Sequence, residues 1–201
     1  RDIKRMLAYS SIEHMGLIAL GAAIGNGLAL AAVLLHILGH GLGKSVLFIG
    51  SGRIQQAAGS SRIDEVRGLG GQAPGLATLF GLGLLALLGL PPFSLFASEL
   101  GIVRAGFAAG LGWAVAPALV LMLVIVAGVG GTAGRMLLGE APPGAAGGLV
   151  IRLRGAGVPL VAGLVACAVL GVTLGPLRPL LESAATIATI GPPAGPVGAA
   201  R

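Results

Sequence analysis

The sequence predicts an all-α fold: a polytopic transmembrane helix bundle of about five spans, one of them discontinuous. Three observations carry that expectation. Hydrophobic residues make up 55% of the chain and charged residues only 10%, whereas a soluble domain keeps roughly 25% of its residues charged to hydrate its surface. With a mean hydropathy of +0.97, lipid must be the solvent for most of the chain. The apolar residues fall into runs long enough to cross a bilayer, and the basic residues lie between those runs. The net charge of +6 is therefore a topology signal, not a nucleic-acid footprint, and no nucleic-acid partner is expected. The 37 glycines suit close helix packing in lipid.

A membrane-spanning helix needs about 20 mostly apolar residues. Residues 6–24, 28–50, 112–132 and 158–177 each provide such a run. The stretch 75–109 is too long for one straight helix. It is interrupted at Gly89-Leu90-Pro91-Pro92, where proline removes a backbone donor and prevents regular continuation. Charge decides how it crosses. Arg1, Lys4 and Arg5 precede the first span, and Arg53, Arg62 and Arg67 follow the second, so both groups lie on one side, the cytoplasmic side by the positive-inside rule. Arg135, Arg152 and Arg154 join them only if 75–109 crosses once, as a broken span. A transmembrane domain is thus expected over 1–182 and a poorly ordered Ala/Gly/Pro-rich tail over 183–201, with 141–148 as a flexible loop. The chain opens on Arg1-Asp2-Ile3-Lys4-Arg5 without an initiator methionine or signal peptide, which predicts a piece of a longer protein.

A charge near the bilayer centre costs about 2.5–3.5 kcal/mol on insertion scales, so each ionisable residue inside a span needs a reason. His36, His40 and Lys44 recur every fourth residue and share one helix face, about 6 Å apart along the axis. Imidazole accepts on one nitrogen and donates from the other, so such a row is a ladder of exchangeable protons. Two histidines at this spacing also suit zinc, but no third ligand is evident and no metal is expected. Glu13 lies at a depth similar to Lys44 on the neighbouring antiparallel span, where an acid–lysine pair is possible. His14, next to it, points elsewhere and is read as structural. Glu99 follows the Gly-Leu-Pro-Pro break. Broken membrane helices are tolerated where the backbone is buried in protein or lines a hydrated cavity, so a carboxylate there points to function more strongly than one in a regular helix. Arg104, five residues on, is expected to snorkel toward the outer interface.

These residues carry a resemblance. Asp2-Ile3-Lys4-Arg5, with Leu7-Ala8-Tyr9-Ser10-Ser11-Ile12-Glu13-His14-Met15-Gly16, resembles the most characteristic segment of the antiporter-like membrane subunits. That family spans complex I, multi-subunit sodium/proton antiporters and group 4 membrane-bound hydrogenases. His36-x3-His40-x3-Lys44-Ser45 is similar to its intramembrane His/His/Lys helix, and Gly89-Leu90-Pro91-Pro92-Phe93-x2-Phe96-x-Ser98-Glu99 to its broken helix. The glutamate at 13, with Pro-Pro-Phe and Ser-Glu, is most similar to the hydrogenase-4 component F branch. The resemblance covers roughly residues 1–110. Hydropathy alone agrees beyond them, and Gly39, Gly41 and Gly43 depart from the pattern.

The resemblance implies the second half of an inverted-repeat antiporter-like fold in a multi-pass protein of the cell inner membrane. It further implies protons entering near Lys44 and Glu13, passing along His40 and His36, and leaving near Glu99. Redox chemistry in a partner subunit would drive them. Partner membrane subunits of a hydrogenase or complex I-like assembly are expected, and no cofactor in this chain, whose single Cys167 cannot ligate an iron–sulfur cluster. A subunit of a multi-subunit sodium/proton antiporter and a structural membrane fragment are the alternatives.

Overall fold

The computed structural model describes residues 2–141, 155–173 and 177–190. Helix α1 (Ile3–Ile24) starts where the Asp2 side chain accepts the Arg5 amide at 3.0 Å, satisfying one of the orphan donors of the first turn. It ends at Gly25, whose φ of 70° places it in the left-handed region that terminates helices. Asn26 then caps α2 (Gly27–Ala58) by accepting the Ala29 amide at 2.9 Å. The chain thus reverses within two residues.

Helix α2 runs to Ala58, well past residue 50, where its apolar run ends. Residues 51–58 are more polar but contain no proline, and the stop is the left-handed Gly59. The end of a membrane span and the end of its helix are set by different residues. A 3₁₀ turn (Ile63–Glu65) and the single-turn α3 (Leu69–Gln72) follow. The Ile3 amide bonds the Ser61 carbonyl at 3.0 Å and the Ser61 hydroxyl donates to Asp2, tying the start of α1 to the segment after α2.

The stretch expected as a broken span forms α4 (Pro74–Leu87) and α5 (Ser94–Ala108). Each half is only about 21–23 Å long at 1.5 Å per residue, too short to cross alone. The break holds a cis Pro91–Pro92 peptide and Gly89 at φ 62°. Just before α4, α3 packs on the end of α6 (Gly112–Leu138). The far end of α5 meets the α1–α2 turn, where Asn26 Nδ2 donates to the Ala105 carbonyl at 3.5 Å. The two halves therefore make one crossing.

Helix α2 is the central column, packed against α1, α4, α5, α7 (Gly157–Val172) and α8 (Leu177–Ile190). Its face carries Val46, Leu47 and Ile54 into a core shared with Phe80, Leu95 and Leu160. Helix α6 is peripheral and leaves Val120, Leu121, Leu123 and Val124 exposed, as a lipid-facing helix does. By length and composition α1, α2 and α6 can each cross a membrane, while α4 and α7 are shorter apolar helices.

Two boundaries differ from expectation. Helix α7 stops at Val172, where Thr173 is extended, rather than at residue 177. The stretch expected as a poorly ordered tail from 183 instead begins inside α8, which continues to Ile190. The glycines and prolines that suggested disorder start only at Gly191, and 180–190 contains neither. Residues 191–201, most of the 141–148 loop, Arg152 and Arg154 lie outside the described residues.

Candidate functional site

Packing of α1 and α5 against α2 brings the ionisable residues of three helices together. The buried positions of α1 are Ile3, Leu7, Ser10, His14, Leu17 and Gly21, a three-and-four spacing that aims one face at α2. His14, 2% exposed, lies on that face. His14 Nδ1 and His36 Nε2 are 3.1 Å apart, and His36 Nδ1 lies 2.9 Å from Ser98 Oγ on α5. Ser98 Oγ also lies 2.8 Å from the Leu95 carbonyl, to which its hydroxyl can donate. Each neutral imidazole donates from one nitrogen and accepts on the other, so the tautomers of His14 and His36 set the direction of the chain His14–His36–Ser98. His14 also packs on His40, ring centroids 4.5 Å apart.

Glu99 joins this cluster from the second turn of α5. A donor atom from each of His14, His36 and Glu99 lies within 4.8 Å of the others, all three residues buried. The close approach depends on the helix break: Gly89 sits against the Glu99 carboxylate, leaving no room for a β-carbon. Glu99 also lines an apolar cavity of about 430 Å³ bounded by Gly89, Leu100 and Met122. Arg104 is exposed and forms no ion pair with it. These three residues, not the His36/His40 pair, are the set of donors that could close on a metal. Two of their nitrogens are already hydrogen-bonded to each other.

Lys44 is held differently. Its ammonium donates to the Leu7 carbonyl and, at 2.7 Å, to Ser10 Oγ, which itself donates to the Leu7 carbonyl at 2.9 Å. No Lys44–Glu13 ion pair forms among the described residues. Adjacent residues on a helix point about 100° apart, so only one of Glu13 and His14 can face α2. His14 takes that place, and Glu13 is half-buried toward α6, lining an apolar groove with Ile125 and Gly128. His14 does point elsewhere on the helix than Glu13, as expected, but it is His14 and not Glu13 that meets the row. The missing signal was the apolar spacing of α1, in which residue 14 is in phase with Leu7 and Leu17. Lys44, 8% exposed, and Glu99, 6% exposed, are both buried. Between the two groups, His40 Nδ1 is buried without a hydrogen-bond partner.

Comparison with known proteins gives a consistent result. Residues 1–125 match the family described as NADH:quinone oxidoreductase/Mrp antiporter, TM. A hydrogenase-4 component F homolog from Methylacidiphilum infernorum is 44% identical over 108 residues, which are 54% of this chain and 23% of that protein. Respiratory complex I from Thermus thermophilus contains a chain of TM-score 0.81 and 27% identity, covering 95% of this chain and 40% of that one. An archaeal membrane-bound sulfane sulfur reductase contains one of TM-score 0.83 and 28% identity, covering 94% and 38%. The chain thus spans well under half the length of these relatives.

Proposed function

Because the chain belongs to the NADH:quinone oxidoreductase/Mrp antiporter transmembrane family, we propose that it supplies half of a proton path in a redox-driven complex of the hydrogenase-4 or NADH dehydrogenase type. Its relatives are subunits of multi-subunit membrane complexes, and other membrane subunits are its proposed partners, in the cell inner membrane. The observation that carries this reading is the buried chain His14–His36–Ser98 with Glu99 against it. A structural core needs no such collection of exchangeable protons, each costly to bury.

Lys44 is the switchable carrier on the cytoplasmic side, with Glu13 nearby on the α6-facing side of α1. His40, His14 and His36 relay the proton, and Glu99 is the exit group. A lysine held by a carbonyl and a hydroxyl can swing away when its charge changes. The partnerless His40 Nδ1 costs about 1–3 kcal/mol unless something donates to it or accepts from it, and a passing proton or water meets that need. The chain needs no redox centre for this work, since the driving reaction belongs to a partner subunit.

The test uses the full-length protein in its complex. Glu99→Gln and Lys44→Ala should each abolish proton pumping while electron transfer to an artificial acceptor persists. A wild-type proton-to-electron ratio in both variants would end the proposal. The family also includes Mrp antiporters, for which the same buried acid and lysine would serve sodium/proton exchange. Sodium-dependent pH changes in vesicles holding the complex would favour that second reading.

A further inference from the structure

Two adjoining cavities at the arginine-bearing end of the bundle have the form of a phospholipid. The first, about 720 Å³, is polar and lined by Arg5, Arg67 and Arg135 with Asp2 and Asp64. The second, about 510 Å³, is an apolar groove between α1 and α6 lined by Ile12, Ile125 and Val129. They share Met6 and Tyr9, so the polar chamber and the groove adjoin. The groove runs inward along α1 from Tyr9 to Glu13, in the direction an acyl chain takes from the interface.

The charge of the chamber points to an anion. Three guanidinium groups from the start of α1, the loop before α3 and the last turn of α6 converge there. None of them is ion-paired among the described residues. Arg67 Nε donates only to the Asp64 carbonyl at 3.2 Å, and Arg135 to Thr132 Oγ1 at 3.5 Å. Arg62 and Glu65 form an ion pair at this end, at 2.9 Å. Two carboxylates, Asp2 and Asp64, also line the chamber, so the three guanidinium groups outnumber the acids by one; Asp2 accepts the Arg5 amide and the Ser61 hydroxyl. Guanidinium forks match phosphate oxygens in pairs. Tyr9, 62% exposed at the junction, suits the headgroup level, where amphipathic rings collect.

We propose that an anionic phospholipid docks here, its phosphate among Arg5, Arg67 and Arg135 and one acyl chain in the α1–α6 groove. The chain would cover the face of α1 that carries Glu13 and keep bulk water and lipid headgroups from that carboxylate. The site is separate from the His14–His36–Glu99 cluster, and its test involves no transport.

The full-length protein, purified in its complex in mild detergent, is offered phosphatidylglycerol or phosphatidylcholine, and retained lipid is quantified by native mass spectrometry. Wild type should retain phosphatidylglycerol in preference, and Arg67→Gln and Arg135→Gln should each lower that retention about fivefold. Gly128→Leu provides a second arm with the arginines intact. Gly128 lines the groove and a β-carbon there meets nothing within 4 Å, so a leucine at this position should fill part of the groove and also displace the lipid. Equal retention of the two lipids, or undiminished retention in either kind of variant, would overturn the proposal. So would displacement by inorganic phosphate alone, which would mean a free-anion site.

Discussion

The two ends of the buried row are built on different principles. Around His14, His36 and Ser98, three helices close on one another and hydrogen bonds link the side chains directly. Around Lys44 the ammonium is tied to a single neighbour, α1, through Leu7 and Ser10, and Glu13, which lines the groove beside α6, forms no ion pair with it among the described residues. Under the proposed proton path, the first region would act as a wire of linked side chains and the second as a gate in which Lys44 moves to pass a proton on. Gate and wire would then be separated along one helix, α2, with His40 between them.

The largest effects are expected where the wire ends. Glu99→Gln should abolish pumping and Gly89→Ala should reduce it strongly, since the first removes the buried carboxyl and the second displaces it. In Gly89→Ala the left-handed φ costs a β-carbon about 1–2 kcal/mol, and that carbon meets the Glu99 carboxylate. A proton-to-electron ratio unchanged by Gly89→Ala would break the link between helix break and carboxylate.

Next comes the contrast between neighbours on α1. His14→Ala leaves the buried His36 Nε2 without its hydrogen-bond partner, a loss of about 1–3 kcal/mol. It should lower both thermal stability and pumping rate more than Glu13→Gln. The reverse order, read from initial rates in vesicles, would mean that the gate rather than the wire limits transfer.

The smallest effect lies outside the row. Asp2→Ala removes the cap of α1 and should cost about 1 kcal/mol at neutral pH. The Ser61 hydroxyl and the Arg5 amide hold the Asp2 carboxyl below its ordinary 3.8. A carboxyl depressed in the folded state stabilises above the ordinary value and loses that contribution as pH falls through the depressed one. The stability difference between wild type and Asp2→Ala should therefore vanish in strong acid. A difference that grows on acidification would contradict the assigned hydrogen bonds.

Much of this was legible in the sequence. His36, His40 and Lys44 announce themselves by fourfold spacing, and Gly89-Leu90-Pro91-Pro92 announces a break, because both are local patterns. The position of His14 was available in the phase of Leu7, Ser10, Leu17 and Gly21, but it is outweighed when attention rests on Glu13, the more conspicuous charge. Other features were not available. That Ser98 would bridge to His36 across 62 positions of sequence, or that Lys44 would choose a carbonyl over Glu13, depends on how helices pack. The overrun of α2 past residue 50 was missed because hydropathy reports the lipid boundary, while Gly59 sets the helix end.

Difference infrared spectroscopy of the working complex tests the central claim most directly, since it sees protonation of individual carboxyl groups. A carboxylic C=O band that appears and vanishes during turnover, and is lost in Glu99→Gln, is the predicted result. A wild-type complex that pumps while the Glu99 band stays constant would contradict it.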